Sequence, residues 1–298
     1  MGEVILDKSH TDAQEWFVQS RSLIDDAISK HLPLIVSSSS NRFNEAINYA
    51  LFPGGKRMRP FLTLLGAQLI GPMESRVLMP AVAVEFIHNS SLIIDDLPCM
   101  DNAKIRRGNP PLHAKYGEAT SLLVAIALLN ASYGLVVRGC NNRYEDVISI
   151  QNELVNSIGV DGMIAGQVVD LFSRGSAAEP SKMLGLKTTA LIRFSLTLGA
   201  ITMGANERQL GVMSTFAELL GRAFQLSDDL IDWHDDAAER HDSERENIPG
   251  EIKQSISAAK HALASEFGSG TSVKLLCHLA DYVMKRKEDV PIGVLAAK

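Results

Sequence analysis

The chain has 298 residues, 46% of them hydrophobic and 21% charged, which is too apolar for a disordered chain and long enough to bury a core without disulfide staples. Lysine and arginine number 29 against 35 aspartates and glutamates, a net charge of −6 that lacks the basic excess of a nucleic-acid binder. Three cysteines, Cys99, Cys140 and Cys277, stand far apart with no CxxC pair, the usage of a reduced intracellular protein and not of a zinc site or a disulfide framework.

The first residues, Met1 to Lys8, include acidic side chains and no apolar core of signal length, so no secretory signal is expected and the protein is placed in the cytoplasm. Gly2 is not read as a myristoylation site, because Leu6 occupies the position that calls for serine or threonine. Phe43, Ile47, Ala50 and Leu51 recur at i, i+4, i+7 and i+8 behind the capping candidates Ser40 and Asn41, which predicts a helix. Helical spacing continues over residues 12–31, 60–70, 77–97, 119–139, 144–173, 186–203, 208–233, 254–266 and 271–287. Breaks are expected at Pro53-Gly54-Gly55, Gly108 to Pro111, Gly175 to Pro180, Pro249-Gly250 and Gly268 to Gly270. No run alternates strictly with a period of two, so no sheet is expected. Ala119 to Val137 has no charge, but Thr120, Ser121, Asn130 and Ser132 interrupt it; it reads as a helix buried on all sides, not a transmembrane segment. The simplest organisation is a single all-α domain over residues 1–298.

Chemistry concentrates where carboxylates enter apolar helices. Ser90-Ser91-Leu92-Ile93-Ile94 runs into Asp95-Asp96-Leu97-Pro98-Cys99-Met100-Asp101, and Gln225-Leu226-Ser227 into Asp228-Asp229-Leu230-Ile231-Asp232. On a helix Asp228 and Asp232 share a face, with Asp229 beside them. Clustered carboxylates repel, and taking them from water is costly unless a cation joins them. Hard oxygen ligands suit Mg²⁺, which in turn binds phosphate oxygens. Basic residues supply the complement: Gly54-Gly55-Lys56-Arg57-Met58-Arg59-Pro60 is a loosened turn carrying three cations, and Arg106-Arg107-Gly108 follows the first acidic cluster. Such forks match a diphosphate.

GGKRMRP, a helix ending in DDLPCMD, then RRG, GQVVD, KT and FQLSDDLID resemble, in order and spacing, the trans-isoprenyl diphosphate synthases, also called polyprenyl synthetases, of the geranylgeranyl and farnesyl type. The resemblance runs from about residue 40 to the helix holding Leu279 to Tyr282. It implies an all-α bundle of long antiparallel helices around a deep apolar cavity, commonly a homodimer. It implies that Asp95, Asp96 and Asp101 bind Mg²⁺ under an allylic diphosphate while Asp228, Asp229 and Asp232 hold metal from the facing helix. Lys56, Arg59, His88 and Arg107 would hold isopentenyl diphosphate; Arg106, Lys187 and Gln225 would face the allylic substrate; Thr188, Gln167 and Asp170 would line or brace the cavity. The implied reaction ionises the allylic carbon–oxygen bond, lets the isopentenyl double bond attack the cation, and loses a proton to the departing diphosphate, with no covalent nucleophile on the protein.

Product length follows from the residues four and five places before the first aspartate, where the family's short-chain members carry an aromatic floor. Ser91 and Ser90 stand there, both small. Each buried CH₂ contributes roughly 0.8 kcal/mol, so an open tunnel favours geranylgeranyl diphosphate, C20, over farnesyl diphosphate, C15. The chain departs from the family at Ile94, where histidine is common, at Asn102-Ala103-Lys104, at Asn109, and after Asp232, where a glycine-lysine segment is replaced by Trp233 to Asn247. Arg240, Arg245 or Lys253 are candidates to substitute for the lost lysines. A class I terpene cyclase is the rival enzyme, but its second metal motif is usually of the Asn/Ser/Glu type; a non-catalytic partner subunit would tend to lose aspartates that are all present here.

Overall fold

Apolar residues recurring once per turn shape the chain into helices: α1 (Ala13–Lys30), α2 (Asn41–Leu51), α3 (Met58–Ile70), α4 (Leu78–Asp95), α5 (Leu112–Tyr116), α6 (Glu118–Gly139), α7 (Tyr144–Ile158), α8 (Met163–Phe172), α9 (Leu186–Thr202), α10 (Glu207–Asp232), α11 (Asp242–Phe267) and α12 (Thr271–Met284). The computed structural model describes residues 4–6, 13–37, 41–52, 54–140, 144–172, 186–232 and 242–284, with side chains over 13–37, 41–52, 54–140, 144–172, 186–227, Leu230 and 247–282. Among the described residues the bundle is all-α but for one short ribbon that the sequence did not announce, in which β1 (Val4–Leu6) pairs antiparallel with β2 (Met73–Glu74).

Three helices are apolar nearly all round and form the centre. Pro60 to Gln68 of α3, Pro80 to Ile87 of α4 and, apart from Arg193, Ala190 to Thr202 of α9 are buried. Both prolines sit in a first helical turn, where the missing N–H has no helical partner to lose. α3 and α9 approach at a crossing of glycines: a Cβ on Gly66 would run into the Leu196 carbonyl, and one on Gly199 into the Thr63 carbonyl. Arg76 ties two helix ends beside them. Its Nη1 donates to the carbonyls of Gly139 at 3.2 Å and Thr202 at 2.5 Å, completing the C-termini of α6 and α9 with a cation where the helix dipoles favour one.

Three expectations need correcting. The apolar pattern over 144–173 is two helices, because the chain turns between Gly159 and Gly162, where Gly162 donates to the Gly159 carbonyl. Conversely, α11 runs through Pro249-Gly250 and starts at Asp242, twelve residues before the expected onset at 254; a proline inside a helix costs one hydrogen bond, which a helix of 26 residues tolerates. Finally, α6 is not buried on all sides. Ser121, Val124, Ala125, Leu128 and Ser132 face the core, but Leu122, Leu123, Ile126, Tyr133 and Val137 are exposed.

Gly199→Ala tests the crossing. Alanine is the better helix former by about 1 kcal/mol, yet its methyl meets backbone that cannot yield, so the substitution is expected to destabilise the fold by about 2 kcal/mol, read from urea denaturation midpoints.

Candidate active site

α4 delivers the site because its last turns change from apolar to charged while still inside the bundle. His88, Ser91 and Asp95 lie within one helical face. The His88 ring is 3.1 Å from Arg59 Nη1, and burial, followed by the charges of Arg59, Arg107, Arg106 and Lys187, holds its pKa well below the usual imidazole value. It is therefore neutral at pH 7. Asp95, 4% exposed, accepts from Lys187 Nζ at 2.6 Å; burial raises its pKa, Lys187 opposes that, and Asp101 and Asp96 push it further up.

Beyond α4 the chain curls back on itself. Asp101 donates its backbone N–H to the Asp95 carbonyl at 2.9 Å, Asn102 to Leu97 at 3.0 Å and Ala103 to Asp96 at 3.2 Å, with Asn102 in the left-handed region at φ 49°. This loop brings Asp101 back to the end of α4. A tight turn follows in which Arg106 and Asn109 exchange backbone hydrogen bonds and Arg107 and Gly108 both have positive φ, at 53° and 78°. Both Asp96 oxygens accept from Arg106 Nε at 3.0 Å, and this hydrogen bonding raises the Arg106 pKa.

The far wall comes from α8 and α9. Gly166 lets them close, since a Cβ there would lie 2.8 Å from Lys187 Cβ. Lys187 thereby bridges Gln167 Oε1 at 2.5 Å and Asp95. Thr188 and Asp170 are half-buried on the same two helices, and Gln225 is half-buried on α10. Asp228, Asp229 and Asp232 fall on α10, helical to its end, and their side chains lie outside the described residues, as do Arg240 and Arg245; Lys253 is exposed on α11.

The turn before α3 divides its three cations. Lys56 is exposed and its ammonium meets the Tyr282 hydroxyl of α12; Arg59 faces His88; Arg57 points inward, 2% exposed, onto Glu85. The two serines divide as well. Ser91 is half-buried on the face of His88 and Asp95, with its hydroxyl on the His88 carbonyl, whereas Ser90 is 2% exposed and donates to the Ala125 carbonyl of α6. Sequence reasoning missed Tyr282, Glu85 and Asn89. An acidic residue and an amide inside the apolar run Ala81 to Ile94 were the signal available for the last two. The three cysteines are free.

The family profile described as polyprenyl synthetase matches residues 40–244. A chloroplastic geranylgeranyl pyrophosphate synthase of Catharanthus roseus is 38% identical over 216 residues, 70% of this chain and 58% of that protein. The large subunit 1 of a chloroplastic heterodimeric geranylgeranyl pyrophosphate synthase from Arabidopsis thaliana is 36% identical over 75% of this chain and 62% of its own length. The chain thus spans about six tenths of these relatives. Among solved structures, an FPP/GFPP synthase from Zymomonas mobilis superposes with a TM-score of 0.81 at 29% identity, covering 91% of this chain and 98% of its own. The profile covers more than half of the chain, and with these relatives it establishes that the chain belongs to the polyprenyl synthetase family.

Proposed function

We propose that the protein is a Mg²⁺-dependent short-chain trans-prenyltransferase that joins isopentenyl diphosphate to an allylic diphosphate, with geranylgeranyl diphosphate as product. The observation that carries this reading is the gathering of cations around the carboxylates at the end of α4: Arg59 beside His88, Lys187 on Asp95 and Arg106 on Asp96, with Arg107 near enough to His88 to depress its pKa. Lys56, Arg59 and Arg107 bind the isopentenyl diphosphate, and neutral His88 orients it without adding charge. Arg106 and Lys187 hold the allylic diphosphate and take up negative charge as its carbon–oxygen bond breaks, an electrostatic role that needs no covalent nucleophile.

The donor set suits a hard divalent cation. Asp95 lies near Asp96 and Asp101: burial raises its pKa, Lys187 opposes that, and the two neighbouring carboxylates add to the rise. Among the described residues no three carboxylate, histidine or cysteine side chains already converge as a metal cage. Asp95 and Asp101 would hold metal from one wall and Asp228, Asp229 and Asp232 from the other, with Asp96 steadying Arg106. When bound, Mg²⁺ supplies Lewis-acid neutralisation of the leaving diphosphate.

The reading is tested by incubating the protein with Mg²⁺, labelled isopentenyl diphosphate and dimethylallyl, geranyl or farnesyl diphosphate. Prenyl alcohols of one length after dephosphorylation support it; hydrocarbons formed without isopentenyl diphosphate would indicate a cyclase, and no product a partner subunit. Asp95→Asn is expected to lower kcat by on the order of a hundredfold.

The relatives named geranylgeranyl synthases support the C20 product, as does the small Ser91 on the cavity face. Ser91→Phe is expected to shorten the main product by one isoprene unit; an unchanged length would place the floor elsewhere.

We also infer a homodimer. Leu122, Leu123, Ile126, Tyr133 and Val137 are exposed along one side of α6, and Ile148 and Val155 are exposed on α7. Apolar patches of this extent mark an interface. α6 is long and apolar enough to cross a membrane, but its other face packs into the core. Leu123→Lys with Ile126→Glu is expected to convert a species of twice the chain mass into monomer in sedimentation velocity.

A further inference from the structure

The flank of α4 beside His88, Ser91 and Asp95 carries a second set of polar side chains. Glu85, Asn89 and Asp96, 2%, 2% and 3% exposed, are spaced four and seven residues apart, so they form one stripe on a helix that is otherwise apolar there. Each holds one arginine. Arg57 donates Nη1 to Glu85 Oε1 at 2.5 Å, Nε to Asp25 at 2.8 Å and Nη2 to the Leu51 carbonyl at 2.9 Å. Asn89 donates Nδ2 to the Glu85 carbonyl at 2.8 Å and to its Oε1 at 3.0 Å, and its Oδ1 accepts a long contact, 3.4 Å, from Arg107 Nη1. Arg106 pairs with Asp96.

Arg57 and Arg107 are also the arginines held in the left-handed region, at φ 54° and 53°. Non-glycine residues keep that conformation where surrounding contacts over-determine it. The surroundings here are shared. A Cβ on Gly55 would lie 2.8 Å from Arg107 Nη2, so the backbone of the turn before α3 rests against the guanidinium from the turn after α4. Burial disfavours the Arg57 charge, and Glu85 and Asp25 more than offset it. Burial pulls the Arg107 pKa down while Glu85 opposes. A cavity of about 150 Å³ separates the segments, lined by Gly54, Asn89, Asp96, Arg106 and Arg107.

We propose that Glu85 and Asn89 are positioning residues for the isopentenyl diphosphate site: through Arg57 and Arg107 they lock the Gly54–Arg59 and Arg106–Asn109 turns at one spacing, so that Lys56, Arg59 and Arg107 grip the same diphosphate. The inference rests on the function proposed above and adds residues that themselves touch no substrate. A buried ion pair gives little net stability against an apolar pair of similar volume. Its work here is geometric, and its loss shows in binding.

The test uses the full chain and three variants: Asn89→Ala, Glu85→Gln, and the double variant Glu85→Leu/Arg57→Met, which removes both charges and orphans neither. Calorimetric titration with isopentenyl diphosphate alone, where no turnover occurs, is paired with steady-state KM for each substrate and with melting temperatures. Expected is a rise of about tenfold or more in Kd and KM for isopentenyl diphosphate, the loss of a charge-assisted anchor. KM for the allylic diphosphate and kcat at saturation stay within about threefold. An isopentenyl KM unchanged in the variants that fold, or both KM values rising together, overturns the proposal. If Glu85→Gln does not fold, Asn89→Ala and the double variant decide. A wild-type protein that elongates no starter would overturn the proposed function instead, whereas an active wild type with unaltered variants overturns only this inference.

Discussion

The structure depends on one electrostatic constraint: α4 carries ionisable and amide side chains into the apolar centre, and each must be answered there. An unpaired buried charge costs several kcal/mol, so the partners of Glu85, His88, Asp95 and Asp96 are not decoration. Arg57, Arg59, Lys187 and Arg106 come from three different segments to meet them. Satisfying α4 therefore assembles the cleft. The Lys56–Arg59 turn, the Arg106–Asn109 turn and the start of α9 converge because one helix demands cations from all three.

The same constraint explains the division of labour around α4. One face presents His88, Ser91 and Asp95, where burial raises the Asp95 pKa and Lys187 opposes it. The adjoining flank is held by arginines, Arg57 on Glu85, Arg107 beside Asn89 and Arg106 on Asp96, and the last two also line a cavity. Tight helix crossings hold these walls in place: glycine at 66 and 199 lets α3 and α9 touch backbone to backbone, and Gly166 brings α8 close enough for Gln167 to share Lys187 with Asp95. α6 has the reverse character, a helix whose core face is complete and whose outer face is apolar without a cover in the single chain.

Much of this was legible in the residue order. The carboxylates at the end of an apolar helix, the Gly54–Pro60 turn and the Arg106-Arg107-Gly108 step each announce their chemistry locally, because charge in an apolar context is visible without coordinates. Less legible was anything that depends on what lies across from a helix. The apolar pattern over 144–173 gives no sign of which glycine turns the chain, Pro249 reads as a stop although α11 passes through it, and the uncharged stretch of α6 conceals that one face of it is exposed. Glu85 and Asn89 were missed because their partners sit 28 and 18 residues away in sequence.

Composition and period thus settle by themselves that the chain is helical, where its helices broadly run, and which segments bear carboxylates and cations. The tertiary structure alone separates residues that are equivalent on paper. Arg57 is buried while Lys56 is exposed and Arg59 reaches His88, and Ser90 turns to α6 while Ser91 stays on the face of His88 and Asp95. Helical periodicity fixes the angle between neighbouring side chains, but not which angle points at which neighbour; that is set when whole helices pack, by the combined demand to bury apolar surface and leave no charge unanswered.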